Sequence, residues 1–402
     1  MTDDRRTPAF EAGLRRVGEL EPGAPLPESD PALVARIGDE IRAAGPMTFA
    51  RFMELALYDH DHGYYAAGAT GPGRSGDFLT APEGHPIFGW AIARRLEQAW
   101  EGLGRPDRFV VREHGAGMGA LAEGILDGLR RSGSDLIEAL RYQAVEAAPG
   151  RLEALEARLA ASGLSAWLEP ASDAPDTGAV LANELLDALP VHRVEGGREG
   201  HVNEVFVDVG PDGAFAWSRG RPSTDALARR LEAEGVRLEA GQVGEVCLAV
   251  DAWIASAVAS LAAGLVLVID YGHPATDLYA PDRGSTLRAY HRHWVHDNPF
   301  VAIGRQDLTA HVDLTAVERA AGAAGLTALP RTTQARFLSD LGLGELLVAL
   351  QTDGRTDLAG YLAARAAVGR LLDPRATGGF AVLQFERHAK GRASGQFERG
   401  PR

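Results

Sequence analysis

Cysteine is almost missing: the 402 residues contain one, Cys247. That excludes an intramolecular disulfide framework and any metal site built from several thiolates, and it points to a reducing compartment. Lysine is as scarce, with Lys390 alone among 41 basic residues. That bias fits a GC-rich coding sequence more simply than a chemical need. Positive charge is in deficit overall. The formal net charge of −14 argues against a nucleic-acid-binding surface as the main business of the chain. Long apolar runs are missing too, since no stretch reaches the about 18 residues that span a bilayer. The N-terminus lacks the apolar core of a secretion signal, and Asp3, Asp4 and Glu11 do not suit an organelle transit peptide. A bacterial cytoplasmic location is the simplest expectation. What remains is ordinary for a globular protein: 45% hydrophobic and 24% charged residues. The length allows one large α/β domain with additions, or two domains.

The densest signal begins at residue 109. Four residues of strand character lead to Glu113, then glycines stand at every second position, Gly115, Gly117 and Gly119, and a helix-forming run follows over residues 120–130. Strand, glycine turn and helix together let the backbone turn tightly and approach a ligand closely, with helix N–H groups facing a negative or polar group. Gly115, Gly117 and Ala120 also fit a dinucleotide-binding pattern. A second strand, residues 142–146, ends in Glu146, which is placed to bind both hydroxyls of a ribose. Glu146 points to a nucleoside without saying which. Glu113 favours S-adenosylmethionine over NAD, because a carboxylate there suits a ligand ammonium.

Strands are expected at 108–113, 142–147, 178–183 and 264–270, with helices between the early ones. That alternation implies a parallel sheet with crossover helices. Residues 1–30 read as a disordered tail. Helices are expected over Pro31–Ala44, with Asp30 as N-cap, over Phe49–Tyr58, and over residues 86–103. Residues 31–104 thus carry N-terminal helices and a glycine-rich loop, and residues 105–390 form the cofactor-binding domain. An insertion at about 191–262 interrupts that domain. It reads as a hairpin, residues 191–194 and 201–209 with Gly196 and Gly197 at its tip, then a helical stretch over 223–262. Two closing strands are expected at 329–334 and 379–387.

A second chemical motif follows the strand at 178–183. Asn183, Glu184 and Asp187 stand at a strand's carboxyl end, where open parallel sheets bind ligands. A helical turn would place Glu184 and Asp187 on one face. A helix cap with dipole-favouring acids is the competing structural role. Asp59, His60, Asp61 and His62 could be read as a metal cluster, but four consecutive side chains cannot all converge on one ion, and a solvated loop is expected.

At this point the sequence resembles a specific family, the bacterial and mitochondrial methyltransferases that include the complex I assembly factor MidA. The resemblance rests on an ordered set of motifs. Gly76-Asp77-Phe78-Leu-Thr80-Ala-Pro82-Glu83 precedes the glycine turn, Asn183 to Pro190 contains Asn-Glu-x-x-Asp-Ala-Leu-Pro, and Asp270-Tyr271-Gly272 ends a strand. Thr286 to Tyr290 is followed by His293, and matches at Gly304, Asp307, Thr309, His311, Asp313, Thr333, Gln334, Phe337 and Leu338 complete it. The resemblance spans about residues 31–388. It departs in the glycine turn, where Met118 and Ala120 replace the usual arginine and threonine, in Ala147-Ala148-Pro149 after Glu146, and in Gly84-His85-Pro86.

The resemblance implies a class I methyltransferase: a Rossmann-like, seven-stranded, mostly parallel sheet with helices on both faces, an N-terminal helical extension and an inserted hairpin-helix segment. It implies S-adenosylmethionine as cofactor, held by Glu113, Gly115, Gly117, Gly119, Glu146 and Asn183, and no metal. It implies methylation of a protein arginine, with a respiratory complex I subunit as target. Glu184, Asp187, Asn183 and Asp77 become the catalytic candidates. Phe78, Thr80, Pro82, Tyr271 and His293 become substrate or lid candidates, the lid being the glycine-rich loop at 68–83. A small-molecule or natural-product peptide methyltransferase, a non-catalytic assembly chaperone, and an NAD-dependent oxidoreductase are the alternatives. Oligomeric state is open, with a homodimer among the options.

Overall fold

The computed structural model describes residues 26–66, 80–172, 174–291 and 294–389, with the strand backbone of Arg15–Arg16. The chain divides into two compact units. One comprises residues 1–79, 186–252 and 271–317, and the other residues 80–185, 253–270 and 318–402.

The second of these holds the main sheet. Helix α1 (Ile87–Gly102) leads to β1 (Phe109–His114), α2 (Ala120–Ser132), β2 (Leu140–Val145), α3 (Pro149–Ala161) and β3 (Asp176–Asn183). Helix α4 (Ala249–Ala259) then leads into β4 (Leu261–Asp270), and β5 (Ala381–Arg387) closes the unit. The strand order is β5-β4-β3-β1-β2, extended beyond β5 by short strands at Thr327–Ala328 and Thr332–Thr333. β1 pairs in parallel with β2 and β3, and β3 with β4, while β5 runs antiparallel to β4. The parallel strands are apolar along nearly their whole length, as in β3 and β4, because a parallel sheet is covered on both faces. The seven-stranded sheet read from the sequence is present as a mixed sheet, with a parallel core and antiparallel pairing at β5, and the four main strands fall within a few residues of their expected places.

The other unit opens with helices Pro31–Ala44 and Phe49–Tyr58. Asp30 caps the first through its side chain, and Thr48 caps the second. Their apolar faces enter one core with Leu33, Ile37, Phe49, Phe52, Met53 and Val207. The inserted segment is more β-rich than expected. Strands His192–Gly196 and Val202–Val209 form the anticipated hairpin; Gly196 ends the first strand, paired with Val202, and Gly197 opens the loop. They are joined by Phe215–Gly220 and Val243–Val246, and by the short strand Met47–Thr48. The helical reading of 223–262 holds for Ala226–Ala233 and Ala249–Ala259 but fails between them. Val243–Val246 is a strand because its four residues pair with residues 192–195, a long-range contact that local helix propensity cannot anticipate.

Among the described residues no helix is long and apolar enough to cross a membrane.

Candidate functional site

The glycine turn at the end of β1 is built from left-handed backbone. Gly115, Gly117 and Gly119 have φ of +71°, +54° and +83°, a region that side chains with a Cβ rarely enter. Two of them show different needs. A Cβ on Gly119 would lie 2.7 Å from Cγ of Leu155, so that glycine lets the turn pack on α3. A Cβ on Gly117 would meet nothing within 4 Å, so Gly117 faces open space into which a ligand can descend. Gly119 then caps α2 without a side-chain hydrogen bond.

Glu146, just past β2, closes this turn. Its Oε2 accepts the Gly117 N–H at 2.9 Å and its Oε1 accepts the Ala148 N–H at 3.0 Å. A carboxylate offers about four lone-pair sites, so ribose hydroxyls can share the group with the backbone. Glu113 is buried and accepts the Tyr142 hydroxyl at 2.6 Å. Burial pushes its pKa up to about 8, against the lowering by the Tyr142 bond, and the charge of Glu146 adds to the rise. Burial thus favours the protonated acid, and a ligand ammonium beside it would favour the carboxylate. Arg158 fastens the surroundings. It bonds both oxygens of Glu83, at 3.0 and 3.2 Å, and donates to the Met118 carbonyl at 3.2 Å. Neither Tyr142 nor Arg158 stood out in the sequence, since only folding brings them to the turn.

The expected pairing of Glu184 with Asp187 on one helical face does not form. Glu184 is left-handed, with φ +52°, and only a single 3-10 turn, Leu186–Ala188, follows. The Glu184 N–H donates to the Ile269 carbonyl at 2.9 Å, so pairing across to β4 holds it out of a helix. A non-glycine residue in that conformation costs of order 1–3 kcal/mol and is found where surroundings over-determine it, often at functional sites. Its Oε1 accepts the Asn183 amide at 3.1 Å and the Ala81 N–H at 3.2 Å. Thr80 and Pro82 lie in that same short segment, Thr80 preceding the one-turn helix Ala81–Gly84. Asn183 Oδ1 is buried with no hydrogen-bond partner, an acceptor suited to an N–H or O–H of a ligand.

Asp187 belongs to the other unit. There the Tyr271 hydroxyl bonds its carboxylate, and burial raises its pKa to about 6 against the lowering by that bond. Tyr271 stands edge-on to His311, with centroids 5.3 Å apart, and His311 lies 5.5 Å from His273. Burial lowers both histidines, to about 3 and about 4, so both are neutral imidazoles. Asp77, Phe78 and His293, and most of the loop at 68–83, lie outside the described residues. Asp59 is tied to Arg36 and holds its own turn by accepting the N–H groups of Asp61 and His62. Among the described residues no group of histidine, cysteine and carboxylate side chains could hold a metal ion.

Comparison with known proteins bears on what this site takes. Residues 91–332 match a family model described as "Putative S-adenosyl-L-methionine-dependent methyltransferase". The chain is similar to the protein arginine methyltransferase NDUFAF7 homolog of Drosophila melanogaster, mitochondrial, at 30% identity over 78% of this chain and 77% of that protein. It is similar to the mitochondrial protein arginine methyltransferase NDUFAF7 of Mus musculus at 30% identity over 77% of this chain and 74% of that protein. Among solved structures it resembles a Burkholderia thailandensis protein bound to S-adenosylhomocysteine. The TM-score there is 0.81 at 35% identity, covering 94% of this chain and 99% of that one.

Proposed function

Because this chain belongs to the S-adenosylmethionine-dependent methyltransferase family, we propose that it transfers the methyl group to an arginine side chain of a protein. The observation that carries the arginine reading is the similarity to proteins named arginine methyltransferases across three-quarters of both chains. When bound, S-adenosylmethionine supplies a methyl group already activated on a sulfonium. The chain has to hold the cofactor, orient the acceptor and accept a proton. Glu146, Gly117 and Glu113 would hold the ribose, the backbone side and the ammonium. Orientation of the acceptor can supply about 7–11 kcal/mol of the barrier.

A guanidinium is protonated and delocalised at neutral pH, so its recognition calls for carboxylates that bind it in a fork. Glu184, held in its left-handed conformation beside Asn183, suits that role. Asp187, bonded by Tyr271 and with its pKa near 6, suits the role of holding the proton that a guanidinium nitrogen sheds as it gains a methyl group. The family resemblance extends the reading to a subunit of respiratory complex I as the target. Met118 and Ala120 in the glycine turn favour a second reading, a small-molecule or peptide acceptor. Mass spectrometry of proteomes with and without this protein decides: a methylarginine mark lost on deletion and restored by the wild-type gene supports the proposal. Proteomes with no altered arginine methylation would move the acceptor to a small molecule.

A further inference from the structure

Arg95 of α1 is only 8% exposed, and arginine is almost never that deeply buried unless it is paired. Its Nε donates to Gln384 Oε1 of β5 at 2.6 Å. Among the described residues its two terminal nitrogens have no hydrogen-bond or ion-pair partner, and neither is sealed from solvent. The other two buried arginines among the described residues are satisfied. Arg112 bonds Gln143, Ser260 and Ser172 through its three nitrogens, and Arg230 bonds the Cys247 carbonyl and Asp251. Arg95 and Gln384 line a cavity of about 440 Å³, a size that holds small-molecule ligands. All of its lining residues belong to the unit that carries the main sheet.

A buried guanidinium keeps its charge and is costly without a bonded counter-charge. Glu386 attracts Arg95 but forms no ion pair with it among the described residues; its own neighbour is His388, 3.9 Å away. The other two arginines on the pocket are already engaged, Arg331 with Glu318 at 3.2 Å and Arg336 with Asp340 at 2.8 Å. Arg95 therefore supplies the unspent charge. The fork of its terminal N–H groups matches two oxygens of a carboxylate or phosphate. Because the Gln384 oxygen is taken by Arg95, the amide leaves its NH2 end as a further donor. Pro330, Phe337 and Leu341 form an apolar wall beside these donors. The pocket shares no residue with the glycine turn. In the order β5-β4-β3-β1 its strand stands three places from β1, roughly 14 Å across the sheet.

We propose that this pocket binds the carboxylate or phosphate group of a small organic anion, with two of its oxygens on the terminal nitrogens of Arg95 and its apolar part against Phe337 and Leu341. The site is separate from the cofactor turn. It uses none of the residues assigned to cofactor or acceptor, so it stands whichever acceptor the chain methylates.

The test is titration calorimetry at fixed ionic strength with benzoate, phenyl phosphate and the uncharged benzyl alcohol, with and without S-adenosylhomocysteine. At least one anion should bind and benzyl alcohol should not, and S-adenosylhomocysteine should leave the anion affinity unchanged. The tighter anion identifies the head group as carboxylate or phosphate. Arg95→Lys keeps the charge and removes the fork, and Arg95→Met removes the charge. Each should weaken anion binding about ten- to hundredfold, the ratio for a hydrogen bond to a charged group. No anion binding, benzyl alcohol binding as tightly as the anions, displacement by S-adenosylhomocysteine, or unchanged affinity in both variants would overturn the proposal. A second readout uses the wild-type protein and so does not depend on variant folding: a crystal soaked in phenyl phosphate should show the phosphate on both terminal nitrogens of Arg95. Phosphate density only at other places would overturn it.

Discussion

Glu113, proposed to meet the ammonium of the cofactor, brings a pH dependence of its own. Its pKa in the folded chain is raised from 4.5 to about 8, chiefly by burial. A raised acid contributes stability fully below its unfolded value and loses it as pH rises through the folded value. The empty wild-type protein should therefore lose stability relative to Glu113→Gln between about pH 4.5 and 8, by up to about 1.4 kcal/mol per pH unit. Chemical denaturation of both proteins across that range checks it, and parallel curves would show that Glu113 is charged in the empty site. Cofactor binding should show the same linkage from the other side. S-adenosylhomocysteine should bind more tightly as pH rises from 6 to about 8, with proton release seen by calorimetry in buffers of different ionisation enthalpy. Two further residues are proposed to act on the acceptor. Glu184→Gln and Asp187→Asn should each lower methyl transfer by about tenfold or more while S-adenosylhomocysteine affinity changes little, the pattern of groups that act on the acceptor. Unchanged turnover in both would return Glu184 and Asp187 to structural roles. The types of these residues were legible in the sequence. Their conformations were not, because the left-handed turn at Glu184 depends on a hydrogen bond to Ile269, far away in the chain.

At the scale of elements, the glycine turn separates two kinds of constraint. Gly119 is packed on Leu155 and Gly117 faces open space, although both are left-handed. Gly119→Ala should cost stability, about 1–3 kcal/mol from the clash and the conformation together. Gly117→Ala should cost about 1 kcal/mol in stability but weaken S-adenosylhomocysteine binding at least about tenfold, since a methyl group would occupy the approach of the ligand to the backbone. Melting temperature and calorimetric affinity measured on both variants distinguish the two; equal stability loss with equal affinity would merge their roles. The strands of the main sheet were readable because apolar runs between turn signals are local patterns. The inserted segment was read less well. The strand Val243–Val246 exists through pairing with residues 192–195, and periodicity over a short window carries no information about such a partner.

At the scale of the whole chain, the charge of −14 has a kinetic consequence for an arginine-bearing client. A negative protein steers a basic partner toward itself, and salt screens that attraction. If the acceptor is a basic protein segment, kcat/KM for an arginine-rich peptide should fall severalfold between about 20 and about 300 mM salt. Initial rates in the two buffers measure it, and a salt-independent rate would assign recognition to contacts at the acceptor alone.

By itself the sequence determined the order of the main-sheet strands and their helices and the glycine turn with its flanking acids, which point to a nucleoside cofactor. Those features are short, contiguous and set by residue type: left-handed backbone favours glycine, and a carboxylate at a strand end is chemistry in one position. The tertiary structure decided which groups those residues meet. It placed the Tyr142 hydroxyl on Glu113, Arg158 on Glu83 and Met118, and the Trp253 ring against His114. It assigned Glu184 and Asp187 to different units. Such contacts join residues from distant parts of the chain. The burial that shifts Glu113 and Asp187 from ordinary carboxylates is a property of the packed fold, which no local pattern encodes.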